Sequence, residues 1–280
     1  MYKYTTDGKC QCRDPHCPEA SQPLLLPMDL FHRDFGGSGR PVVILHGLFG
    51  SSQNWAGTGR RLNDTGHVIG LDLRNHGDSP HAPDHSLAAC VEDVWQWSRA
   101  HTRVPFALVG HSMGGLVAMG FALRHPEMTA AIAAIDIAPR PYPPDHSAEY
   151  RALRTDIAAC RTRANLDELL APLLPETRVR QFLLTNAVRD ADGFRWRLDP
   201  KVLSSNTVAA DFARVTGTFG GPALLVACGK SAYVRPADHE LTRAFFPAVR
   251  VEAIPGADHW PHVTAAPRLE AILRDFLAMQ

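Results

Sequence analysis

One serine of the chain lies between two glycines in the stretch LVGHSMGG, where Gly110, Ser112 and Gly114 form the pattern G-x-S-x-G. An apolar run precedes this stretch and a helical pattern follows it. A serine in that context sits on a strained strand-to-helix turn, and its neighbours must be small because larger side chains would clash there. The pattern therefore predicts that Ser112 is a nucleophile rather than part of a merely tight structural turn.

A serine hydroxyl is a poor nucleophile and needs a base, for which the chain offers 14 histidines. His259, in GADHWPH, follows the last apolar run in a glycine-containing loop, from which it could reach the carboxyl ends of the strands. We predict His259 as the base, with the nearby His262 as the alternative. His111 is expected to point away from the serine, and His76 to brace a loop.

The base in turn needs an acid that orients it, and Asp136 is the first candidate. It ends the apolar run AAIAAID, 136 − 112 = 24 residues after the serine. An unpaired carboxylate there would be costly, and adjacent parallel strands bring their carboxyl ends to one sheet edge. We therefore predict that Asp136 accepts a hydrogen bond from His259. Two alternatives stay open, namely Asp238 as the acid and a purely structural Asp136.

The stretch ILHGLFG supplies a candidate for stabilising a negatively charged oxygen. A His-Gly pair after an early strand lets the next backbone N–H face the nucleophile. We predict that the backbone amides of Leu48 and Met113 form an oxyanion hole. Phe49 is the second choice for the donor assigned to Leu48. The alternative is that the stretch is only a tight glycine turn. Each such donor is worth about 3–4 kcal/mol in a transition state.

The elements that must position these residues are short apolar runs. Continuous apolar runs, rather than alternating ones, are typical of strands buried on both faces of a mainly parallel sheet. Helical patterns lie between them, so the fold class is α/β with a doubly wound sheet. The six runs are Val42–Gly47, His67–Leu73, Phe106–His111, Ala130–Asp136, Ala223–Gly229 and Val249–Gly256.

One interval, residues 139–215, has amphipathic helical stretches but no buried-strand run. We interpret it as a helical cap inserted into a core made of residues 28–138 and 216–280, with residues 1–27 as a flexible, cysteine-containing extension. Apolar residues of the cap could line an acyl pocket, although most such residues form a cap's own core. The predicted substrate-binding set is Phe49, Phe182, Leu184, Trp196, Tyr233 and Trp260.

The composition excludes several classes of function. Lys+Arg and Asp+Glu are balanced at 29 each, which argues against a nucleic-acid partner or an anionic membrane surface. The chain has no apolar run of about 18 residues and no basic-then-apolar leader pattern, so we expect a cytoplasmic protein. We further expect a monomer or a homodimer. Cys10, Cys12 and Cys17 crowd near His16, but their spacing fits no zinc pattern, and no metal is predicted.

Several stretches together carry a resemblance to a known family: HGLFGSSQNW, DLRNHGDSP, GHSMGG, AIDIAP, QFLLTNAV followed by FRWRL, GKSAYV, and GADHWPH. They resemble the small YbfF-type bacterial esterases and their mitochondrial abhydrolase relatives, which are serine hydrolases of the α/β-hydrolase fold. The resemblance covers roughly Met28 to the C-terminus and implies that the acid sits on the DIAP-like strand end. Ala232 replaces the proline of that family's SPYV-like loop, and the cysteine-rich N-terminus matches nothing in it.

The resemblance implies a two-step acyl transfer without metal or organic cofactor. The implied substrates are small-molecule esters with short-to-medium acyl chains, or acyl thioesters. Activity is expected to rise with pH, because only a neutral imidazole acts as a base. The alternatives are a cofactor-free carbon–carbon bond hydrolase or lyase on the same scaffold, and a non-catalytic ligand-binding homologue.

Overall fold

The computed structural model describes residues 28–143, 146–191 and 193–279. Its strands are β1 (His32–Gly36), β2 (Pro41–Leu45), β3 (His67–Leu71), β4 (Phe106–His111), β5 (Thr129–Ile135), β6 (Ala187–Asp190), β7 (Gly193–Trp196), β8 (Ala223–Cys228) and β9 (Val249–Ile254). Its α-helices are α1 (Ala56–Arg61), α2 (Leu87–His101), α3 (Met113–Arg124), α4 (Ser147–Leu153), α5 (Arg163–Leu170), α6 (Thr177–Leu184), α7 (Pro200–Leu203), α8 (Val208–Asp211), α9 (Asp238–Phe245), α10 (Pro261–Thr264) and α11 (Ala266–Ala278). Short 3₁₀ segments occupy Ser52–Trp55, Pro126–Met128 and Phe212–Arg214.

The described residues form a seven-stranded central sheet in the order β1-β3-β2-β4-β5-β8-β9. Six neighbouring strands pair in parallel, and each corresponds to one of the six apolar runs of the sequence. The edge strand β1 runs antiparallel to β3 and was not predicted. Its sequence HRDFG has no continuous apolar run, because only one face of this short strand is buried.

Helices cover both faces of the sheet, as a doubly wound sheet requires. Along β4, Phe106 and Leu108 pack into one apolar cluster with α2 and α3, whereas Ala107 and Val109 pack into a second cluster with α11. Successive side chains of a strand point to opposite faces. A strand between two apolar layers must therefore be apolar at every position, which explains the continuous runs.

Four loops follow the carboxyl ends of parallel strands and meet at one edge of the sheet. Ser112 comes directly after β4, and Asp136 directly after the adjacent β5. The HGLFG loop follows β2, and His259 lies in the loop after β9. This edge is where ligands bind in open α/β sheets, at the ends of parallel strands.

The residues between β5 and β8 rest on this edge. They include α4 to α8, and we call residues 139–215 the cap. The cap has an apolar cluster of its own, formed largely by residues 152–203 and joined by Phe49 of the HGLFG loop. It also contains an antiparallel hairpin, β6–β7, which the sequence did not predict. Its four-residue strands carry Arg and Asp side chains toward solvent, so they show no buried-strand pattern.

Within the described ranges, none of the helices combines the length and the apolar character needed to cross a membrane. The predicted N-terminal extension, with Cys10, Cys12 and Cys17, lies outside the described residues. The other three cysteines, Cys90, Cys160 and Cys228, are buried free thiols.

Candidate active site

Ser112 occupies the sharp turn that its glycine neighbours predict. Its backbone lies in a strained region, with φ 51° and ψ −121°, between the end of β4 and the first residue of α3. A Cβ atom on Gly110 would come within 2.2 Å of the Gly114 carbonyl oxygen, and one on Gly114 within 2.4 Å of the Leu45 carbonyl oxygen. Only glycine fits at these two positions, so the pattern reflects close backbone packing around the serine.

His259 lies between the serine and the buried aspartate. Its Nε2 atom is 3.0 Å from the Ser112 hydroxyl oxygen, and its Nδ1 atom is 2.7 Å from an Asp136 carboxylate oxygen. A carboxylate only accepts hydrogen bonds, so Nδ1 carries the proton. Nε2 is therefore left with a lone pair aimed at the serine hydroxyl. The structure thus brings the three predicted residues into one hydrogen-bonded chain.

Asp136 is fully buried, with none of its surface exposed. One carboxylate oxygen accepts the His259 bond, and the other accepts a bond of 3.1 Å from the Cys228 backbone N–H. The Asp136 backbone N–H donates to the Val226 carbonyl oxygen at 2.8 Å, while its φ of 50° turns the chain away from the strand. These bonds satisfy a carboxylate that would otherwise be costly to bury.

The His259 ring is held by further contacts. The Tyr233 ring stacks on it with 4.0 Å between the ring centroids and 16° between the planes. The Tyr233 carbonyl oxygen accepts hydrogen bonds from the Tyr142 hydroxyl at 2.7 Å and from Arg140 at 3.2 Å. His111 Nε2 donates to the His259 carbonyl oxygen at 2.6 Å, so His111 braces the histidine loop and does not contact the serine hydroxyl.

The two alternative residues are engaged elsewhere. The His262 ring is buried and stacks on Trp55 at 4.3 Å, and burial lowers the pKa of His262 to about 4. Asp238 forms ion pairs with Arg140 and Arg235, both at 3.1 Å. Burial opposes ionisation of Asp238, but the hydrogen bonds from Arg235 and the nearby charge of Arg140 lower its pKa overall. Neither residue joins the chain of hydrogen bonds at Ser112.

The HGLFG loop lies against the serine turn. A Cβ atom on Gly47 would come 3.2 Å from Cβ of Ser112, so the loop backbone passes directly behind the nucleophile. Leu48 and Ser112 line the same cavity, and Met113 is the first residue of α3. Phe49 was the second choice for the oxyanion hole, but its backbone N–H donates to His76 Nε2 at 3.1 Å. This bond removes Phe49 as a candidate donor.

Two buried histidines fix the HGLFG loop. His46 donates from Nδ1 to the Gly47 carbonyl oxygen at 2.8 Å and accepts from the Leu73 N–H at 2.9 Å. His76 donates from Nδ1 to the Arg74 carbonyl oxygen at 2.9 Å while it accepts from Phe49. Burial lowers the pKa of His46 and, more strongly, the pKa of His76, so both rings are neutral and can accept these amides.

His76 was expected to brace a loop, and it does so by accepting the Phe49 N–H and donating to the Arg74 carbonyl oxygen. The role of His46 was not predicted. Its signal was present in the sequence, because His46 is the histidine of the quoted HGLFG stretch. A histidine that is next to a glycine turn and follows a buried strand has backbone groups within reach of both ring nitrogens.

A cavity with two lobes opens above Ser112. The larger lobe, about 200 Å³, includes His259, and we call it the histidine lobe. The smaller lobe, about 90 Å³, shares Leu48, Ser112, His146 and Tyr233 with the first but is not lined by His259, and we call it the far lobe. The histidine lobe is lined by Gly47, Leu48, Phe49, His111, Ser112, His146, Glu149, Val179, Phe182, Leu183, Tyr233, His259 and Trp260. The far lobe is lined by Leu48, Ser112, Met113, Leu116, Ile137, Tyr142, Pro143, His146, Tyr150, Ser204, Asn206, Ala209, Ala210 and Tyr233.

The structure brings four of the six predicted substrate-binding residues to this cavity, namely Phe49, Phe182, Tyr233 and Trp260. The other two need correction. Leu184 is buried in the apolar cluster of the cap, and Trp196 packs against that cluster while its indole N–H donates to the Thr155 carbonyl oxygen at 3.1 Å. Residues two apart on a helix do not share a face, so Phe182 and Leu184 could not both face the cavity.

The cap closes over the histidine lobe through α6. The Phe182 ring lies 5.8 Å from the Trp260 ring, and Arg178 forms an ion pair with Asp258, the neighbour of His259. His146 and Glu149, at the start of α4, also line this lobe. Neither residue was predicted from the sequence.

The rest of the described chain offers no comparable chemistry. A larger groove of about 570 Å³ lies between α2, α3 and residues 214–216, and it contains none of the residues that contact the serine hydroxyl. In residues 28–143, 146–191 and 193–279, no group of three or more His, Cys, Asp or Glu side chains could hold a metal ion.

Comparison with known proteins places this geometry in a family context. Residues 40–266 match the family model of the alpha/beta hydrolase fold. Over 231 residues, or 79% of this chain and 75% of the relative, the chain is 36% identical to mouse "sn-1-specific diacylglycerol lipase ABHD11". Over 241 residues, or 84% of this chain and 90% of the relative, it is 32% identical to "Esterase YbfF" of Escherichia coli strain K12.

A solved structure has the same fold over nearly its whole length. The structure of a marine microorganism esterase superposes with a TM-score of 0.84 at 32% sequence identity. The match covers 89% of this chain and 99% of that esterase. The similarity therefore includes the cap as well as the sheet.

Proposed function

The chain belongs to the α/β-hydrolase fold family, and we propose that it is a serine hydrolase that cleaves carboxylic esters through an acyl-enzyme on Ser112. The observation that carries the proposal is the chain of hydrogen bonds from Ser112 through His259 to the buried Asp136. The similarity to proteins named as esterases and as a diacylglycerol lipase supports the ester as the bond that is cleaved.

In the proposed reaction, His259 takes the serine proton as the Ser112 oxygen attacks the ester carbonyl. The amides of Leu48 and Met113 donate to the carbonyl oxygen as it becomes negative, each contributing about 3 kcal/mol to the transition state. His259 then gives its proton to the departing alcohol. A water molecule activated by the same ring releases the acid and restores the serine.

The two lobes take different parts of the ester. The alcohol oxygen must receive a proton from His259, so the alcohol occupies the lobe that His259 lines. The acyl chain then occupies the far lobe, whose walls include Leu116, Ile137 and Ala209. Since the far lobe is the smaller, the preferred acyl chains are short to medium in length.

The electrostatics favour uncharged alcohols. Burial favours the neutral form of Glu149, but the neighbouring His146 lowers its pKa overall, so the histidine lobe contains a carboxylate. Because like charges repel, this carboxylate disfavours anionic leaving groups such as a phosphorylated thiol. Thioesters of uncharged thiols remain compatible. The same charge argues against a carbon–carbon hydrolase that binds an acidic substrate.

Hydrolysis of p-nitrophenyl esters from acetyl to dodecanoyl by the wild type and Ser112→Ala tests the proposal. We expect a maximum at short or medium chains and loss of that activity in Ser112→Ala. Absence of wild-type turnover across the series would contradict the esterase proposal and favour the lyase, carbon–carbon hydrolase or binding alternatives. Equal rates in the two proteins would contradict Ser112 as the nucleophile.

The proposal includes a division of the chain into a core of residues 28–138 and 216–280 and a cap of residues 139–215. The separate apolar cluster of the cap supports this division.

We also propose a cytoplasmic location, a monomeric or homodimeric state and a reaction without a metal or cofactor. Cell fractionation, light scattering and metal analysis of the purified protein test these three points.

A further inference from the structure

A polar pair lines the histidine lobe among otherwise largely apolar and aromatic side chains. His146 precedes the first residue of α4, and Glu149 lies in the first turn of that helix. Both line the lobe that contains His259, and His146 also lines the far lobe. Nδ1 of His146 lies 3.9 Å from Oε1 of Glu149. At that distance the two groups attract each other without forming a close hydrogen bond.

The catalytic chain of hydrogen bonds does not use this pair. A carboxylate in a pocket with aromatic walls is costly unless it gains polar partners. Its two oxygens offer about four acceptor positions, and a neutral imidazole offers one donor and one acceptor. The pair therefore presents both an acceptor and a donor to whatever occupies the lobe. A hydroxyl group, which both donates and accepts, matches this combination.

We propose that His146 and Glu149 form a subsite for a free hydroxyl group on the alcohol part of the substrate. The preferred substrates are then esters of diols or polyols, in which a hydroxyl donates to Glu149 and accepts from His146. The inference rests on the proposed ester hydrolysis and on the assignment of the alcohol to the histidine lobe. His146 and Glu149 are partly exposed, so an alkyl alcohol of the same length would displace water from them without replacing its hydrogen bonds, and its ester would react more slowly.

Two esters with the same acyl chain provide the test, 1-butyrylglycerol and propyl butyrate, because they differ only in two hydroxyl groups. Hydrogen bonds to a charged group predict that the wild type favours 1-butyrylglycerol by about 10- to 100-fold in kcat/KM. In Glu149→Leu we expect this ratio to fall to near one, because kcat/KM for 1-butyrylglycerol falls while kcat/KM for propyl butyrate stays the same. Glu149→Gln keeps an acceptor and is expected to lie between the two.

A matched control comes from the same part of the chain. Glu168 is an exposed cap glutamate on α5 that lines neither lobe, so Glu168→Gln should keep the wild-type ratio. Thermal melts of all variants check folding. Butyrylcholine serves as a third probe, since a carboxylate near Phe182 and Trp260 could instead attract an ammonium group.

The possible outcomes separate the two proposals. A wild-type ratio near one, equal losses on both esters in Glu149→Gln and Glu149→Leu, or a preference for butyrylcholine over 1-butyrylglycerol would overturn the hydroxyl subsite while leaving ester hydrolysis intact. If the folded wild type cleaved neither butyrate ester, the proposed function would fail and the subsite with it.

Discussion

The carboxyl edge of the sheet and the cap contribute different things to the same cavity. At the sheet edge, Ser112 and Asp136 directly follow adjacent parallel strands, so the backbone fixes their positions. In the cap, Glu149 and Phe182 lie on short helices that pack around a separate apolar cluster. From this difference we infer that the sheet edge determines which reaction occurs, whereas the cap determines which molecules undergo it.

The largest expected effect separates the two aspartates near the sheet edge. Asp136→Asn should lower kcat about 10⁴-fold, because an amide cannot hold the required His259 tautomer. Asp238→Asn is the matched control, since Asp238 pairs with Arg140 and Arg235 instead. Rates for p-nitrophenyl acetate check both. A large loss in Asp238→Asn together with a small one in Asp136→Asn would reverse the assignment of the acid.

A second pair of variants distinguishes a residue that forms the core of the cap from one that lines the cavity. Leu184→Ala should lower the free energy of unfolding by about 2–5 kcal/mol, because it leaves a hole in the apolar cluster, without changing the order of preferred esters. Phe182→Ala should change that order at a smaller cost in stability, because Phe182 lines the histidine lobe. Urea unfolding and an ester series with varied alcohols measure both. A changed ester preference in Leu184→Ala would show that the two roles are not separate.

A third prediction concerns acid stability at the sheet edge. Burial lowers the pKa of His262 to about 4 from the ordinary 6.5, so the unfolded chain takes up the proton first as the pH falls. The stability that depends on neutral His262 is complete above pH 6.5 and is lost as the pH falls toward 4. Between pH 7.5 and pH 5 the loss is about 2 kcal/mol.

The variant His262→Gln tests this by urea unfolding at the two pH values. Its difference in unfolding free energy between pH 7.5 and pH 5 should be smaller than that of the wild type by about 2 kcal/mol. His81→Gln, at an exposed position, should keep the wild-type difference. Equal pH dependence in all three proteins would mean that His262 is not the group responsible.

The smallest expected effect concerns the ring that stacks on His259. Tyr233→Leu removes the stacked ring and should lower kcat for p-nitrophenyl acetate roughly two- to tenfold, the range that such ring contacts provide. Tyr233→Phe keeps the ring and should remain near the wild type. If Tyr233→Phe lost as much as Tyr233→Leu, the hydroxyl rather than the stacked ring would be the important group.

The sequence predicted the sheet edge far better than the cap, for physical reasons. Strands buried on both faces leave continuous apolar runs, and the close packing behind Ser112 requires glycine, so both features can be read locally. The strand β1 and the hairpin β6–β7 are short and half exposed, and they leave no such signal. Whether a cap residue such as Trp196 faces the cavity depends on how short helices pack together, which composition does not specify.

The central claim is that Ser112, activated by His259 and Asp136, forms the acyl-enzyme. Fluorophosphonate labelling followed by peptide mass mapping tests it most directly, because the probe reacts with an activated serine whatever the natural ester is. We predict one label on Ser112 in the wild type and labelling slowed by several orders of magnitude in His259→Ala and Asp136→Asn. A label elsewhere in the chain, or equally fast labelling of Ser112 in both variants, would contradict the account.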